Sequence, residues 1–196
     1  MKILLIGSGH VGSAAHAALA PHHDVVVASR STSPAVDITD PASIQALFES
    51  VGTVDAVVTT AGKVPFKPLT DLVADDYASG IAGKVLSQID VVRIGLPFVS
   101  DGGSFTVTSG VLAREPIRTG AAASMANGAL ETWVMAAAPE MPRGVRLNAV
   151  SPSVLKSSPQ HHQAFAGFPP VSDAAVGQAY RRAVEGIQTG RTHLVD

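Results

Sequence analysis

The chain has 196 residues, of which 46% are hydrophobic, 15% charged and 5% aromatic; its formal net charge is −2 and it has no cysteine. A single domain of this size buries roughly 70% of the surface its unfolded chain exposes, and so apolar a composition excludes global disorder. The charge balance lacks the basic footprint of a nucleic-acid binder, and the missing cysteine excludes disulfides and thiolate chemistry.

Lys2 followed by the apolar Ile3–Ile6 has the outline of a secretory leader, but the run is too short for a signal core and far too short to span a membrane. It reads instead as a buried first strand, Lys2–Ile6, and the expectation is a cytoplasmic protein with no membrane partner. An Ala-rich helix follows over Val11–Ala20 and ends before Pro21. Asp24–Ser29 is a second strand. Pro41–Val51 is a helix with Asp40 placed to cap it. Val54–Thr59 is a strand, Asp76–Val99 a long helical pattern and Ser104–Thr108 a strand. Gly120–Ala138 is a second Ala-rich helix, stopped by Pro139; Val145–Val150 is a strand. The irregular Ser151–Ser172 suits a mobile loop over a site. Ala174–Thr189 and His193–Val195 close the chain as helix and strand. Alternation of this kind predicts one α/β domain, residues 1–196, with a parallel sheet and helices on both faces.

Gly7-Ser8-Gly9-His10-Val11-Gly12 fits G-x-G-x-x-G between a predicted strand and a predicted helix, the context that gives the pattern its meaning. The first glycine permits the tight turn, the second lets a pyrophosphate approach the backbone, and the third lets the helix pack on the strand. The helix N-terminus offers free N–H groups and positive potential. A dinucleotide is therefore the expected cofactor. At the end of the second strand an NAD-selective site places a carboxylate; this chain has Ser29-Arg30-Ser31. A guanidinium pairs with a 2′-phosphate that a carboxylate would repel, so NADP(H) is favoured over NAD(H). Asp37-Ile38 are candidates to flank the adenine. His10 reads as a phosphate-side or solvent contact, and the adjacent pairs His22-His23 and His161-His162 are unsuited to hold a metal.

From Thr59-Thr60-Ala61-Gly62 onward the chain resembles the short-chain dehydrogenase/reductase family over nearly its whole length. Val36–Asp40 (VDITD) resembles the family's Asp-bearing segment, and TTAG its turn beside the adenine ribose. Thr106–Gly110 (TVTSG) resembles the strand that carries the catalytic Ser. Arg146–Val154 (RLNAVSPSV) resembles the segment that touches the nicotinamide, so Thr60, Ala61, Gly62, Pro152 and Val154 join the implied cofactor contacts. The expected fold is then a Rossmann-type, doubly wound, mostly parallel seven-stranded sheet. The long helix and the Gly120–Ala138 helix resemble those of the family's dimer interface, which implies a homodimer or homotetramer.

The chain also departs from the family. Its G-x-G-x-x-G is the general dinucleotide form; most members space these glycines as G-x-x-x-G-x-G. The family's catalytic Tyr and Lys align with Ala123 and Asn127, and Lys84 stands where an Asn belongs. Strict spacing puts the catalytic Ser at Gly110, although Ser109 sits at the right strand end. A small subgroup with V-D-I-T-D, T-S-G, M-A-N-G-A-L and N-A-V-S-P lacks the usual active-site residues in the same way. The remaining candidates for chemistry are Lys84 as general acid, Ser109 as a donor to a substrate carbonyl and Asn127 as a ribose contact. Lys84 facing the pocket and Lys84 as an exposed helix lysine both stay open. Three functions stay open too: an NADP(H)-dependent oxidoreductase of non-standard mechanism on a small carbonyl or enone, a non-redox isomerase or cyclase, and a silent nucleotide-binding sensor or partner protein.

Overall fold

A computed structural model describes residues Met1–Asp196. The strands form where β-branched and aliphatic residues run together. β1 (Lys2–Ile6) buries four of its five residues, and β3 (Val54–Thr59) buries five of six; both lie inside the sheet with helices on either face. β2 (Asp24–Ala28), β4 (Val99–Thr108), β5 (Arg146–Pro152) and β6 (Thr192–Val195) complete it. The order is β2-β1-β3-β4-β5-β6 and every neighbouring pair is parallel.

Six strands replace the seven expected. The outermost position of the doubly wound order 3-2-1-4-5-6 is missing beside β2. The segment between Ala28 and α2 (Pro41–Val51) would have to supply a crossover helix as well as a strand, and a crossover alone takes about a dozen residues. What remains of that strand is one isolated bridge between Ser29 and Ala35.

Helices cover both faces. α1 (His10–Leu19) and α7 (Asp173–Glu185) pack on one side, where Leu5, Leu19, Val58 and Tyr180 share a core cluster. α2, α4 (Ser87–Gly95) and α5 (Ala121–Ala137) cover the other, around Leu4, Phe48, Phe105 and Leu147. Asp40 Oδ1 accepts from the Ala42 N–H and caps α2, as its position predicts. The long helical pattern is not one α-helix. α3 (Ala74–Gly80) runs into a π-helical turn, Ile81–Leu86, before α4, and a 3₁₀ turn at Leu96–Phe98 ends the run where Pro97 cannot donate to it. β4 starts five residues before the predicted Ser104, with Gly102 at φ +72° in the irregular stretch that shifts its register against β3. Ser151–Ser172 is tied at its root: β5 runs to Pro152, Leu155 and Val171 form a bridge, and α6 (Pro159–His162) is a single turn. No helix is long and apolar enough to cross a membrane.

Candidate functional site: a dinucleotide cleft and a buried lysine

The C-terminal ends of β1, β2 and β3 open into a cleft of about 760 Å³. Its floor is the glycine loop. Gly7 has φ +115°, a left-handed conformation that favours glycine, and a Cβ there would fall on the Thr60 hydroxyl. Gly12 packs so tightly on the loop that a Cβ would fall on the Gly7 carbonyl, whereas nothing of the protein lies within 4 Å above Gly9. A pyrophosphate can therefore approach the backbone at Gly9. The Thr60 N–H donates to the Ile6 carbonyl at 2.8 Å, pinning the end of β3 to the loop.

The electrostatics of the cleft suit an anion. α2 and α7 are capped by Asp40 and Ser172, but α1 has no side-chain cap and no acid in its first turn. Its first N–H groups and its positive end are left to a ligand. Arg30 is exposed at the rim, between Ser29 and Ser31, whose hydroxyls lie 3.3 Å apart. The Asp37 carboxylate accepts from the Thr39 N–H at 3.0 Å and from its hydroxyl at 2.7 Å. These bonds first, and the Arg30 charge in addition, hold its pKa below the usual carboxylate value. This donor set fits a dinucleotide: an uncapped helix end and open glycine for the pyrophosphate, and an unpaired guanidinium where β2 ends.

Of the sixteen cofactor contacts expected from sequence, Gly7, Ser8, Gly9, Ser29, Arg30, Ser31, Asp37, Ile38, Thr60, Ala61 and Gly62 line this cleft. His10, Val11 and Gly12 form the first turn of α1 behind the loop. Pro152 and Val154 are buried at the end of β5, outside the cleft. Sequence reasoning missed Val36, Thr39, Lys63, Pro65, Ser79 and Gly83, which also line it. Lys63 and Pro65 lie in the connection after β3 and Ser79 on α3, where no motif signals a wall.

Beyond Gly62 the cleft gives way to the ends of β4 and α5. Lys84 occupies the π-helical turn, a local widening often found at functional sites. It is half-buried, its stem lies under Gly62, where a Cβ would meet Lys84 Cγ at 3.0 Å, and its Nζ donates to the Ser109 carbonyl at 3.1 Å. It faces inward, and burial lowers its pKa to about 8. At neutral pH the ammonium predominates, yet it releases a proton far more readily than a surface lysine.

The side chains around it interlock. Ala123 is buried against Val111 and Leu112. Asn127 is 5% exposed, and its amide fills the space over Gly110, where a Cβ would lie 3.0 Å from Nδ2. Asn127 Oδ1 is buried without a partner. The Ser109 hydroxyl donates to Glu131 Oε1 at 2.7 Å, and Arg114 Nη1 holds the same carboxylate at 2.9 and 3.1 Å. The structure thus brings Lys84, Ser109 and Asn127 to one place, the end of β4, but turns the Ser109 hydroxyl toward Glu131 rather than leaving it free. Glu131 lies twenty-two residues from Ser109, so no local pattern reveals the pair. Neither tyrosine lies on α5. Tyr77 lies on α3, and Tyr180 is wholly buried, its hydroxyl 2.6 Å from that of Thr108, with burial pushing its pKa up. No three His, Asp or Glu side chains gather as a metal site.

A family model described as enoyl-(acyl carrier protein) reductase matches residues 12–191. No curated protein matches. Among solved structures, the protein lin1944 from Listeria innocua is 44% identical, covers and is covered 100%, and superposes with a TM-score of 0.98. A small-chain dehydrogenase in complex with NADPH is 25% identical, over 100% of this chain and 96% of that one, with a TM-score of 0.87. The enoyl-[acyl-carrier-protein] reductase (NADH) from Aquifex aeolicus VF5, at 17% identity over 100% of this chain and 94% of that one, shares the fold with a TM-score of 0.84.

Proposed function

The chain belongs to the short-chain dehydrogenase/reductase family, and we propose that it is an NADP(H)-dependent oxidoreductase of a small carbonyl or enone in which Lys84 serves as the proton donor. The nicotinamide, when bound, supplies or accepts the hydride. The observation that carries the reading is the placement of Lys84: an inward ammonium with a pKa of about 8, against Gly62 of the cleft and 3.1 Å from the Ser109 carbonyl at the end of β4. Lys84 Nζ donates a proton to the substrate oxygen and is recharged from solvent; a group of this pKa is matched to work near neutral pH. The unpartnered Asn127 Oδ1 accepts from a hydroxyl of the ribose or the substrate. Arg30 receives the 2′-phosphate, in keeping with the NADPH bound by one relative. The chain is assigned to the subgroup that has lost the Tyr and Lys, acts in the cytoplasm and forms a homodimer or homotetramer through the π-helical turn, α4 and α5, where Leu86 and Met125 are exposed.

Calorimetry with NADPH and NADH, followed by a screen of small aldehydes, ketones and enones monitored at the NADPH absorbance, tests this. The expected result is tighter binding of NADPH and substrate-dependent oxidation that Lys84→Met abolishes. Failure to bind either dinucleotide overturns the reading. The tie of Ser109 to Glu131 favours one alternative, a nucleotide-binding protein without turnover. That alternative predicts NADPH binding with no turnover in any screen, whereas isomerisation predicts turnover at constant absorbance.

A further inference from the structure

Gln88 lies on α4 among side chains that bury Val91 and Val92 against the sheet, and it is itself 0% exposed. A carboxamide is costly to bury unless each of its polar atoms finds a partner. Both do, and on one residue. Gln88 Oε1 accepts from the Thr108 N–H at 2.8 Å, and Gln88 Nε2 donates to the Thr108 carbonyl at 2.9 Å. Thr108 is the last residue of β4. β3 and β4 are last in register at Val58 and Thr106; beyond that pair β3 turns away, its Thr60 N–H going to Ile6 and its Thr59 carbonyl taking the Thr108 hydroxyl at 2.6 Å. The next strand residue, Ser109, faces β5 and donates its N–H to the Val150 carbonyl at 2.9 Å. Thr108 faces the other way and has lost its strand partner, so the Gln88 carboxamide stands in for one peptide of β3, donor and acceptor together.

One helical turn before Gln88 is Lys84, whose Nζ donates to the carbonyl of Ser109, the residue after Thr108, at 3.1 Å. The Gly83 carbonyl beside it accepts from the Ser87 hydroxyl and from the Lys63 N–H, each at 3.1 Å. The π-helical turn is thus stitched to the wall of the dinucleotide cleft at Lys63, and α4 to the sheet at Thr108. Apolar contacts are non-directional and resist sliding weakly, whereas two hydrogen bonds to one residue hold only within the narrow range that their geometry allows. Lys84 needs such a hold. Burial disfavours its charge and lowers its pKa to about 8, and a free ammonium on a long stem turns out to water.

We propose that Gln88 is the positioning residue of the site: its double bond to Thr108 sets the register of the π-helical turn and so holds Lys84 Nζ at the end of β4. Gln88 lines no part of the dinucleotide cleft, so it acts through Lys84 alone. Its effect on turnover rests on Lys84 being the proton donor; its effect on Lys84 does not.

The test uses the full chain with two substitutions. Gln88→Met keeps the length of the side chain and removes both bonds; Gln88→Asn keeps the carboxamide but is one methylene short of the strand. Val184→Ala, a truncation of a buried side chain on α7, controls for destabilisation alone. The Lys84 ammonium is titrated through its reactivity toward acetic anhydride as a function of pH, read by mass spectrometry, which needs no turnover. In the wild-type chain and in Val184→Ala the midpoint is expected near 8. In both Gln88 variants it is expected to rise by about one unit or more, toward the ordinary lysine value, because the released ammonium regains water. Their kcat is expected to fall by about tenfold or more, with NADPH affinity and KM within about threefold of wild type. Gln88 variants that fold and keep the midpoint near 8 overturn the proposal, even if kcat falls, since the loss would then be structural. A midpoint that moves equally in Val184→Ala overturns it too. If Gln88→Met does not fold, Gln88→Asn decides. If the midpoint moves in the Gln88 variants while Lys84→Met leaves turnover intact, the proton-donor reading falls and the positioning of Lys84 by Gln88 stands.

Discussion

The glycine loop and the end of β4 lie on the same edge of one parallel sheet, yet they are made from different material. At the loop the backbone carries the function: Gly7 turns, Gly9 lies open, Gly12 closes on the strand, and α1 presents an uncapped end. At β4 the side chains carry it, and they interlock. Asn127 sits where a side chain at Gly110 would be, the Ser109 hydroxyl goes to Glu131, and Lys84 enters from a π-helical turn. A backbone site has few ways to vary without losing the nucleotide. A side-chain site can be rebuilt if its members change together.

The largest expected effect that tests this contrast is at Lys84. Lys84→Met is expected to lower kcat by 10²–10⁴-fold, as for loss of a general acid, while NADPH affinity stays within about threefold. The wild-type rate should fall as pH rises through about 8, because the proton donor is lost there and not near 10.5. Stability should move the other way. The folded chain binds fewer protons than the unfolded chain between about 8 and 10.5, so stability rises with pH across that window. Lys84→Met should remove this slope and stabilise the protein at pH 7 by about 3 kcal/mol, from 1.36 kcal/mol per pKa unit. Denaturant midpoints at pH 7 and pH 10 check it; an unchanged slope would place the ammonium in water.

Next comes the cleft. Arg30→Ala should weaken NADPH by about 10–100-fold, the loss of one charge-assisted contact of about 1.5–3 kcal/mol, and leave NADH unaffected. Calorimetry with both nucleotides decides it, and equal losses would show that Arg30 does not read the 2′-phosphate. Gly110→Ser tests the interlock. Its Cβ would press on the Asn127 amide, so a destabilisation of about 1–2 kcal/mol is expected, relieved when Asn127→Ala is added. Thermal unfolding of the four members of the cycle measures the coupling, and simple additivity would contradict it. The smallest effect belongs to Glu131→Gln. Arg114 and Glu131 side chains are 30% and 18% exposed, and partly solvated pairs contribute about 1 kcal/mol or less, a fall of about 2–4 °C in Tm.

What the sequence reveals follows the same division. Apolar runs such as Ile3–Ile6 and Ala56–Val58 are buried on both faces of a parallel sheet, so their composition alone signals the fold. The glycine spacing signals the loop because Gly7 and Gly12 answer steric demands that no other residue meets, and Gly9 leaves the backbone open to a ligand. The strand count misleads because it follows the family pattern, whereas the short run from Ser29 to Asp40 lacks the length for another crossover. The π-helical turn is silent in the sequence: Ile81–Leu86 has the same apolar periodicity as its neighbours, and the turn appears in the hydrogen bonding. The direction of Lys84 depends on that turn, and so both orientations fit the sequence equally well.

That same turn makes the chemistry separable from the fold by the smallest possible edit. Helical side chains advance about 100° per residue, and a widened turn is an added residue absorbed locally. A lineage that lost the Ala82 codon would keep α4, its core contacts with Phe48 and the residues of the nucleotide cleft, while swinging its ammonium off the Ser109 carbonyl. Binding and turnover would then part company through a change in length rather than in identity, a route to a sensor that leaves every cofactor residue in place.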